Sequence, residues 1–209
     1  MEKRRTFKPA PEQEIVNSLM RELNVNPLIV SLLVQRGITT FEEAKKFFRP
    51  SLDDLHDPFM MKDMDLAIDR IERALKNNER ILIYGDYDVD GTSAVSLVYT
   101  FFKKLVSSVQ LIDFYIPDRY IEGYGISITG IDFAKVNNFT LIIALDCGIK
   151  ANEKVDYANQ LGIDFIICDH HRPGNKLPLA VAVLDPKRED CPYPFDELCG
   201  CGVGFKLIQ

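Results

Sequence analysis

At 209 residues, with 46% apolar and 27% charged residues, the chain is long enough for a real core, as one large domain or one domain with a small appendage. Its net charge of -6 argues against binding nucleic acid by bulk electrostatics, although acidic metal ligands lower the formal charge and bound divalent ions would offset part of it. Five cysteines with no CxxC pair, no apolar h-region after Met1-Glu2-Lys3-Arg4-Arg5, and no run near the ~20 apolar residues of a membrane helix set the expectation: a cytoplasmic protein with reduced thiols, no signal peptide and no membrane.

Residues 1–60 read as a separate helical region. Ile15, Val16, Leu19, Met20 and Leu23 have helical spacing within residues 11–23. A second helix is expected over residues 27–36, with Asn26 as cap, Pro27 at N1 and Gly37 after it. Thr40 and Glu43 form a capping box for a third, running through Phe48. Residues 50–58 are a linker, and residues 65–76 are an amphipathic helix with Leu66, Ile68, Ile71, Ala74 and Leu75 on its apolar side. The second domain is expected over residues 61–209.

From Arg80 onward, short runs rich in Ile and Val (81–84, 111–116, 141–145, 165–168 and 181–184) alternate with helical stretches (92–105, 127–136 and 152–161). This alternation predicts an α/β fold, a mostly parallel sheet with helices on both faces. The runs are apolar throughout because such strands are buried on both sides. Ligands of open parallel sheets bind beyond the carboxyl ends of the strands. Asp86, Asp88 and Asp90 follow the first run, Asp118 and Arg119 the second, Asp146 the third, Asp169-His170-His171 the fourth and Asp185 the fifth. Carboxylates converging on one rim with a His pair read as a metal site.

The chemistry follows from the residue types. Three carboxylates within five residues repel one another and need a compensating cation. Aspartate oxygens with imidazole suit Mn²⁺ well and Mg²⁺ tolerably, and two such ions can share a carboxylate and a water. Arg119, His171 and the backbone N–H groups of Gly91, Thr92 and Ser93, where a helix opens, are candidates to hold a phosphate. Gly85 and Gly91 are read as letting the backbone turn sharply beside the ions. No Ser-His-Asp spacing, P-loop or Rossmann glycine fingerprint is present, so the reaction class is metal-assisted phosphoester hydrolysis.

Asp169-His170-His171 after an apolar run, with the upstream Asp-x-Asp-x-Asp-Gly and Asp146-Cys147-Gly148, resembles the DHH phosphoesterase superfamily. Gly85-Asp-Tyr-Asp-Val-Asp-Gly91, Ile116-Pro-Asp-Arg-Tyr-Ile-Glu-Gly-Tyr-Gly125 and Gly202-Val-Gly-Phe-Lys-Leu207 are similar to the RecJ family of single-strand-specific exonucleases within it. The resemblance implies 5′-to-3′ hydrolysis of single-stranded DNA to mononucleotides in recombination and repair. It also implies partners such as a helicase or a single-strand-binding protein. It implies two Mn²⁺ or Mg²⁺ ions on Asp88, Asp90, Asp146 and His170, with Asp86 beside them and Asp146 as the bridging ligand. His171 would face the scissile phosphate, Asp169 would orient the His pair, and Arg119 would bind substrate phosphate. The family continues past the region of Gln209 into a further Ala-Asp metal motif and more domains, so an incomplete chain that binds metal weakly is the expectation.

The remaining residues have plainer readings. Cys191, Cys199 and Cys201 are poorly spaced for one tetrahedral zinc site. Cys147 and Cys168 are small core residues, His56 is structural, and Phe101 and Phe102 belong to the core. Lys3, Arg4, Arg5 and Lys8 are a solvated tail before a DNA contact, while Lys187 and Arg188 divide evenly between a phosphate contact and a surface role. Two competing functions are a related phosphodiesterase or pyrophosphatase of short substrates and a non-catalytic replication scaffold. The intact aspartates and histidines weigh against the scaffold.

Overall fold

Three short helices open the chain, and their boundaries follow from capping. We describe a computed structural model, covering residues 8–106 and 111–209; Lys3, Arg4 and Arg5 lie outside the described residues. The chain divides into two units, Met1–Leu55 and His56–Gln209. In the first, α1 spans Gln13–Leu23, α2 Pro27–Val34 and α3 Phe41–Phe48. Asn26 accepts the Leu28 N–H ahead of α2, and Thr40 and Glu43 exchange side-chain and backbone bonds as a capping box ahead of α3. Val16, Leu19, Val30 and Ala44 form this unit's core.

The second unit begins with α4, Met64–Lys76. Leu66, expected on its apolar side, is 46% exposed. The buried stripe is instead Met64, Ala67, Ile71 and Ala74, together with Arg70. Arg70 is buried because its guanidinium pairs with Asp164 at 2.6 Å and Glu79 at 2.7 Å, which satisfies the charge inside the fold.

Five strands follow: β1 Arg80–Gly85, β2 Ile112–Tyr115, β3 Phe139–Leu145, β4 Asp164–Cys168 and β5 Ala182–Leu184. They pair in parallel in the order β2-β1-β3-β4-β5. The helices between and after them are α5 Val89–Leu105, α6 Ile128–Val136, α7 Asn152–Gln160 and α8 Gly200–Ile208. Alternate strand residues enter different cores. Ile81, Ile83, Leu141, Ile143 and Leu145 pack with α4, α5 and α8, whereas Leu82, Tyr84, Ile142 and Ala144 pack with α6 and α7. Each buried aliphatic side chain is worth roughly 1.5–3 kcal/mol, so helices on both faces make continuous apolar strands favourable. The chain leaves β1 toward β2 on one side and returns to β3 on the other, so the order reverses between β1 and β3 and opens a crevice at their carboxyl ends.

Helix α5 starts at Val89, three residues before the expected Thr92, because Asp88 is its N-cap and accepts the Gly91 N–H at 2.9 Å. Gly85 and Gly91 are not turn glycines, since neither has a positive φ. They allow close approach: a Cβ on Gly85 would lie 2.3 Å from Val95 Cγ2, and one on Gly91 2.5 Å from the Asp86 carbonyl oxygen. Arg188 is neither a surface residue nor a phosphate ligand. It is buried and its guanidinium bonds Asp63, Asp190 and the Val183 carbonyl. Cys147, Cys168 and Phe102 are buried in the core, and His56 meets the Tyr193 ring edge-on.

Candidate metal centre

The crevice collects side chains that follow β1, β3 and β4. Asp146 directly follows β3 and has φ +61, a left-handed conformation that non-glycine residues rarely adopt. This bend places its carboxyl group, almost fully buried, at the centre of the site. His170 Nε2 lies 3.1 Å from Asp146 Oδ1 and 3.7 Å from Asp90 Oδ2. Asp146, His170 and His171 each present a donor atom, and these atoms all lie within 4.8 Å of one another. Burial first, then the charges of Asp90, Asp88 and Asp169, push the Asp146 carboxyl up to about 8. Among the described residues its Oδ1 has no hydrogen bond, despite the nearby imidazole, and neither does Asp86 Oδ2.

The neighbours hold this group in place. Asp169 follows β4 and is buried. Its Oδ1 accepts the backbone N–H groups of His170 and His171 and lies 2.7 Å from His171 Nδ1, while Oδ2 accepts the Ile149 N–H. An imidazole that donates from Nδ1 to a carboxylate leaves Nε2 free to act as acceptor or ligand. His171 Nε2 sits 3.3 Å from the Tyr124 hydroxyl. Asp86, also buried, accepts the Gly125 N–H at 3.3 Å, which ties the loop after β2 to the end of β1.

Asp90 has a double position. Besides facing His170, its carboxylate accepts the N–H groups of Gly200 and Cys201, each at 2.7 Å, at the start of α8. These bonds hold its carboxyl below the usual range against the opposing effect of burial, the larger single influence. Gly200 is required there, since a Cβ on it would lie 2.4 Å from Asp146 Oδ1.

Two expected phosphate donors are occupied. The Gly91 N–H is donated to the Asp88 side chain and the Thr92 N–H to the Asp88 carbonyl, so the carboxylate that caps α5 takes the place a phosphate was expected to fill. Arg119 is exposed and its guanidinium lies over the Tyr87 ring at 4.9 Å, beside the rim and outside the Asp146–His170–His171 group.

The donor set suits a hard or borderline divalent cation. It consists of carboxylate oxygens and imidazole nitrogen, with buried oxygens that accept no hydrogen bond among the described residues and a carboxyl group raised by burial and by its acidic neighbours. Residues 80–209 match the family model for the DHH family, N-terminal domain.

The chain belongs to the DHH family.

Its relatives include the single-stranded-DNA-specific exonuclease RecJ of Bacillus subtilis (strain 168), 47% identical over 199 residues, which cover 95% of this chain and 25% of the relative. RecJ of Escherichia coli (strain K12) is 33% identical over 183 residues, covering 87% of this chain and 30% of the relative. Among solved structures, an exonuclease RecJ bound to manganese aligns with a TM-score of 0.63 at 28% identity, over 71% of this chain and 37% of that one. RecJ of Thermus thermophilus in complex with Mn²⁺ shares the fold, with a TM-score of 0.74 at 24% identity, over 95% of this chain and 27% of that one. The chain thus spans about a quarter to a third of the length of the curated relatives it matches.

Within this DHH domain, sequence reasoning assigned no role to three residues at the centre. Tyr124 meets His171, and burial followed by the charges of Asp169 and Asp146 raises its hydroxyl. Its signal was Glu122-Gly123-Tyr124-Gly125, a motif with no evident chemistry until the loop folds back. Gly200 and Cys201, more than a hundred residues from Asp90 in sequence, had no local signal.

Proposed function

We propose that this chain carries the metal-binding part of a hydrolase that cleaves phosphodiesters of single-stranded DNA. The observation that carries the reading is the convergence of Asp146, His170 and His171 on one point, with Asp146 buried and lacking a hydrogen bond at Oδ1. Asp88, Asp90, Asp146 and His170, with Asp86 beside them, would hold two Mn²⁺ or Mg²⁺ ions. RecJ relatives support this choice, one of them solved with manganese at 28% identity. When bound, the ions lower the pKa of water to supply hydroxide and neutralise charge on phosphoryl oxygens.

The protein's own groups do the rest. Asp169 fixes the His171 tautomer, so Nε2 faces the centre as a proton acceptor or phosphate partner. The Tyr124 hydroxyl, held in the neutral donor form, orients that ring. Arg119, on its Tyr87 face, is the cation placed to meet a substrate phosphate arriving over the rim. On this reading, digestion runs 5′ to 3′ and releases mononucleotides. The partners are single-stranded DNA and repair or recombination proteins such as a helicase or a single-strand-binding protein, in the cytoplasm. Residues 61–209 are the phosphoesterase domain, and full activity requires the parts of the relatives that this chain does not match.

The test is mononucleotide release from 5′-phosphorylated single-stranded DNA in Mn²⁺, by this chain and by a chain carrying the full length of its relatives. The longer chain is expected to cut, and Asp146→Asn within it to lose at least a hundredfold of the rate. Cutting of short dinucleotides alone, with long strands untouched, would move the substrate to a related phosphodiesterase.

A further inference from the structure

The loop between β2 and α6 displays two large side chains in solvent. Tyr120 is 93% exposed and Ile121 85%. Loop tips normally hide or omit such groups, and exposed apolar side chains grouped beside a polar site mark a binding surface. This tip is firmly braced. Asp118 Oδ1 accepts the N–H groups of Tyr120 at 2.8 Å and Ile121 at 3.0 Å. Glu122 accepts the Asp118 N–H at 2.8 Å and the Tyr115 hydroxyl at 2.9 Å, and it bonds Ser127 Oγ. The backbone that carries the aromatic and aliphatic side chains outward is therefore already ordered before anything binds.

The tip also joins the metal centre through an unbroken series of contacts. Arg119, adjacent to Tyr120, lies over the Tyr87 ring. The Tyr87 ring is 6.4 Å from that of Tyr124, whose hydroxyl reaches His171. A cation set among aromatic rings is the pattern by which proteins hold single strands, the cation on phosphate and the rings on bases. The chain's net charge of -6 gives no bulk attraction to a polyanion, so any hold on a strand must come from local groups such as these.

We propose that Tyr120 and Ile121 form a stacking platform for a nucleobase of single-stranded nucleic acid, on the strand's path to the metal centre. This rests on the reading of the site as one acting on single-stranded DNA. The base lies against the Tyr120 ring and the Ile121 side chain, and the adjoining phosphate meets Arg119. The platform takes any base, since every base offers a π-face.

The chain has no tryptophan, so Tyr120→Trp places a single indole reporter at the tip. The probes are a phosphorothioate oligothymidylate, which resists cleavage, and an abasic strand of equal length, each titrated in Mg²⁺ and followed by indole emission and by anisotropy of a label on the strand. The oligothymidylate is expected to quench the indole by half or more, and the abasic strand to leave it unchanged. Removing both side chains in Tyr120→Ala/Ile121→Ala is expected to weaken oligothymidylate binding about five- to tenfold, and Tyr120→Phe to retain it. Binding of the oligothymidylate by the Tyr120→Trp chain, seen in the anisotropy, without indole quenching overturns the platform and leaves the reading of the site intact. Failure to bind either strand, by this chain and by one carrying the full length of its relatives, overturns both. Quenching that follows protein concentration without any strand means a second copy covers the tip, and it also overturns the platform.

Discussion

Asp146 carries opposed demands. Its backbone is in the left-handed region, which costs a side chain roughly 1–2 kcal/mol, and its buried carboxyl is crowded by three others. Strain of this kind persists where the surrounding structure enforces it, and that occurs at functional sites. It fixes the sign of a pH effect. In the metal-free fold Asp146 is raised to about 8, and Asp185 is raised to about 6 by its burial and the charge of Asp169, both from an ordinary 3.8. The folded state then holds protons that the unfolded state releases. The stability these groups contribute is fully present below about 4 and is lost as pH rises, through about 6 for Asp185 and about 8 for Asp146. The depressed carboxylates Glu79, Asp90 and Glu122 act in the other direction, and their contribution falls away only below about 4.5. Urea denaturation in EDTA is therefore expected to show stability falling from pH 5 to 8. Asp185→Asn should remove the lower part of that fall, on the order of 2 kcal/mol, and Asp146→Asn the upper part. Stability that rises across this range would contradict the assignment of both groups.

At the scale of elements, the seat of α8 makes the sharpest prediction. A Cβ at Gly200 would lie 2.4 Å from Asp146 Oδ1, whereas one at Gly202 would come no nearer than 3.4 Å to Leu198. Alanine favours a helix by about 1 kcal/mol over glycine, so Gly202→Ala should be neutral or stabilising. Gly200→Ala should cost about 1–3 kcal/mol through overpacking and weaken Mn²⁺ binding, both readable by thermal denaturation and metal titration. Equal effects at the two positions would mean that α8 is not anchored on Asp146. The same element shows what was legible in the sequence. Strands β1, β3, β4 and β5 could be read because burial on both faces writes a continuous apolar run, which the half-exposed edge strand β2 lacks, and the strand-end aspartates because they follow the runs closely. The start of α5 was misplaced because Asp88 was weighed as a metal ligand and not also as a cap. The buried roles of Arg70 and Arg188 depend on Asp164 and Asp63, 94 and 125 residues away, and no local window holds both partners. The grip of Asp90 on α8 and the return of Tyr124 to His171 were hidden for the same reason.

In the second unit as a whole, the centre gathers parts that are otherwise far apart in sequence: the end of β1, the cap of α5, the end of β3, the loop after β4 and the start of α8. Acidic groups from these parts meet there, and burial together with their charges raises the Asp146 carboxyl to about 8 in the metal-free fold, which favours its protonated form. A divalent ion would displace that proton and replace repulsion with attraction among all these elements at once. Binding to the folded state alone stabilises it by RT ln(1 + [L]/Kd), about 2.7 kcal/mol at a hundredfold excess over Kd. Mn²⁺ is therefore expected to raise the melting temperature of the second unit, and more at pH 8 than at pH 6, because less of the binding energy goes into expelling the Asp146 proton. Asp146→Ala should abolish the rise, while Asp185→Asn, whose carboxyl lies outside the Asp146–His170–His171 group, should leave it intact. A rise that survives Asp146→Ala would place the ion elsewhere. A rise equal at both pH values would show that the proton on Asp146 is not what the ion replaces.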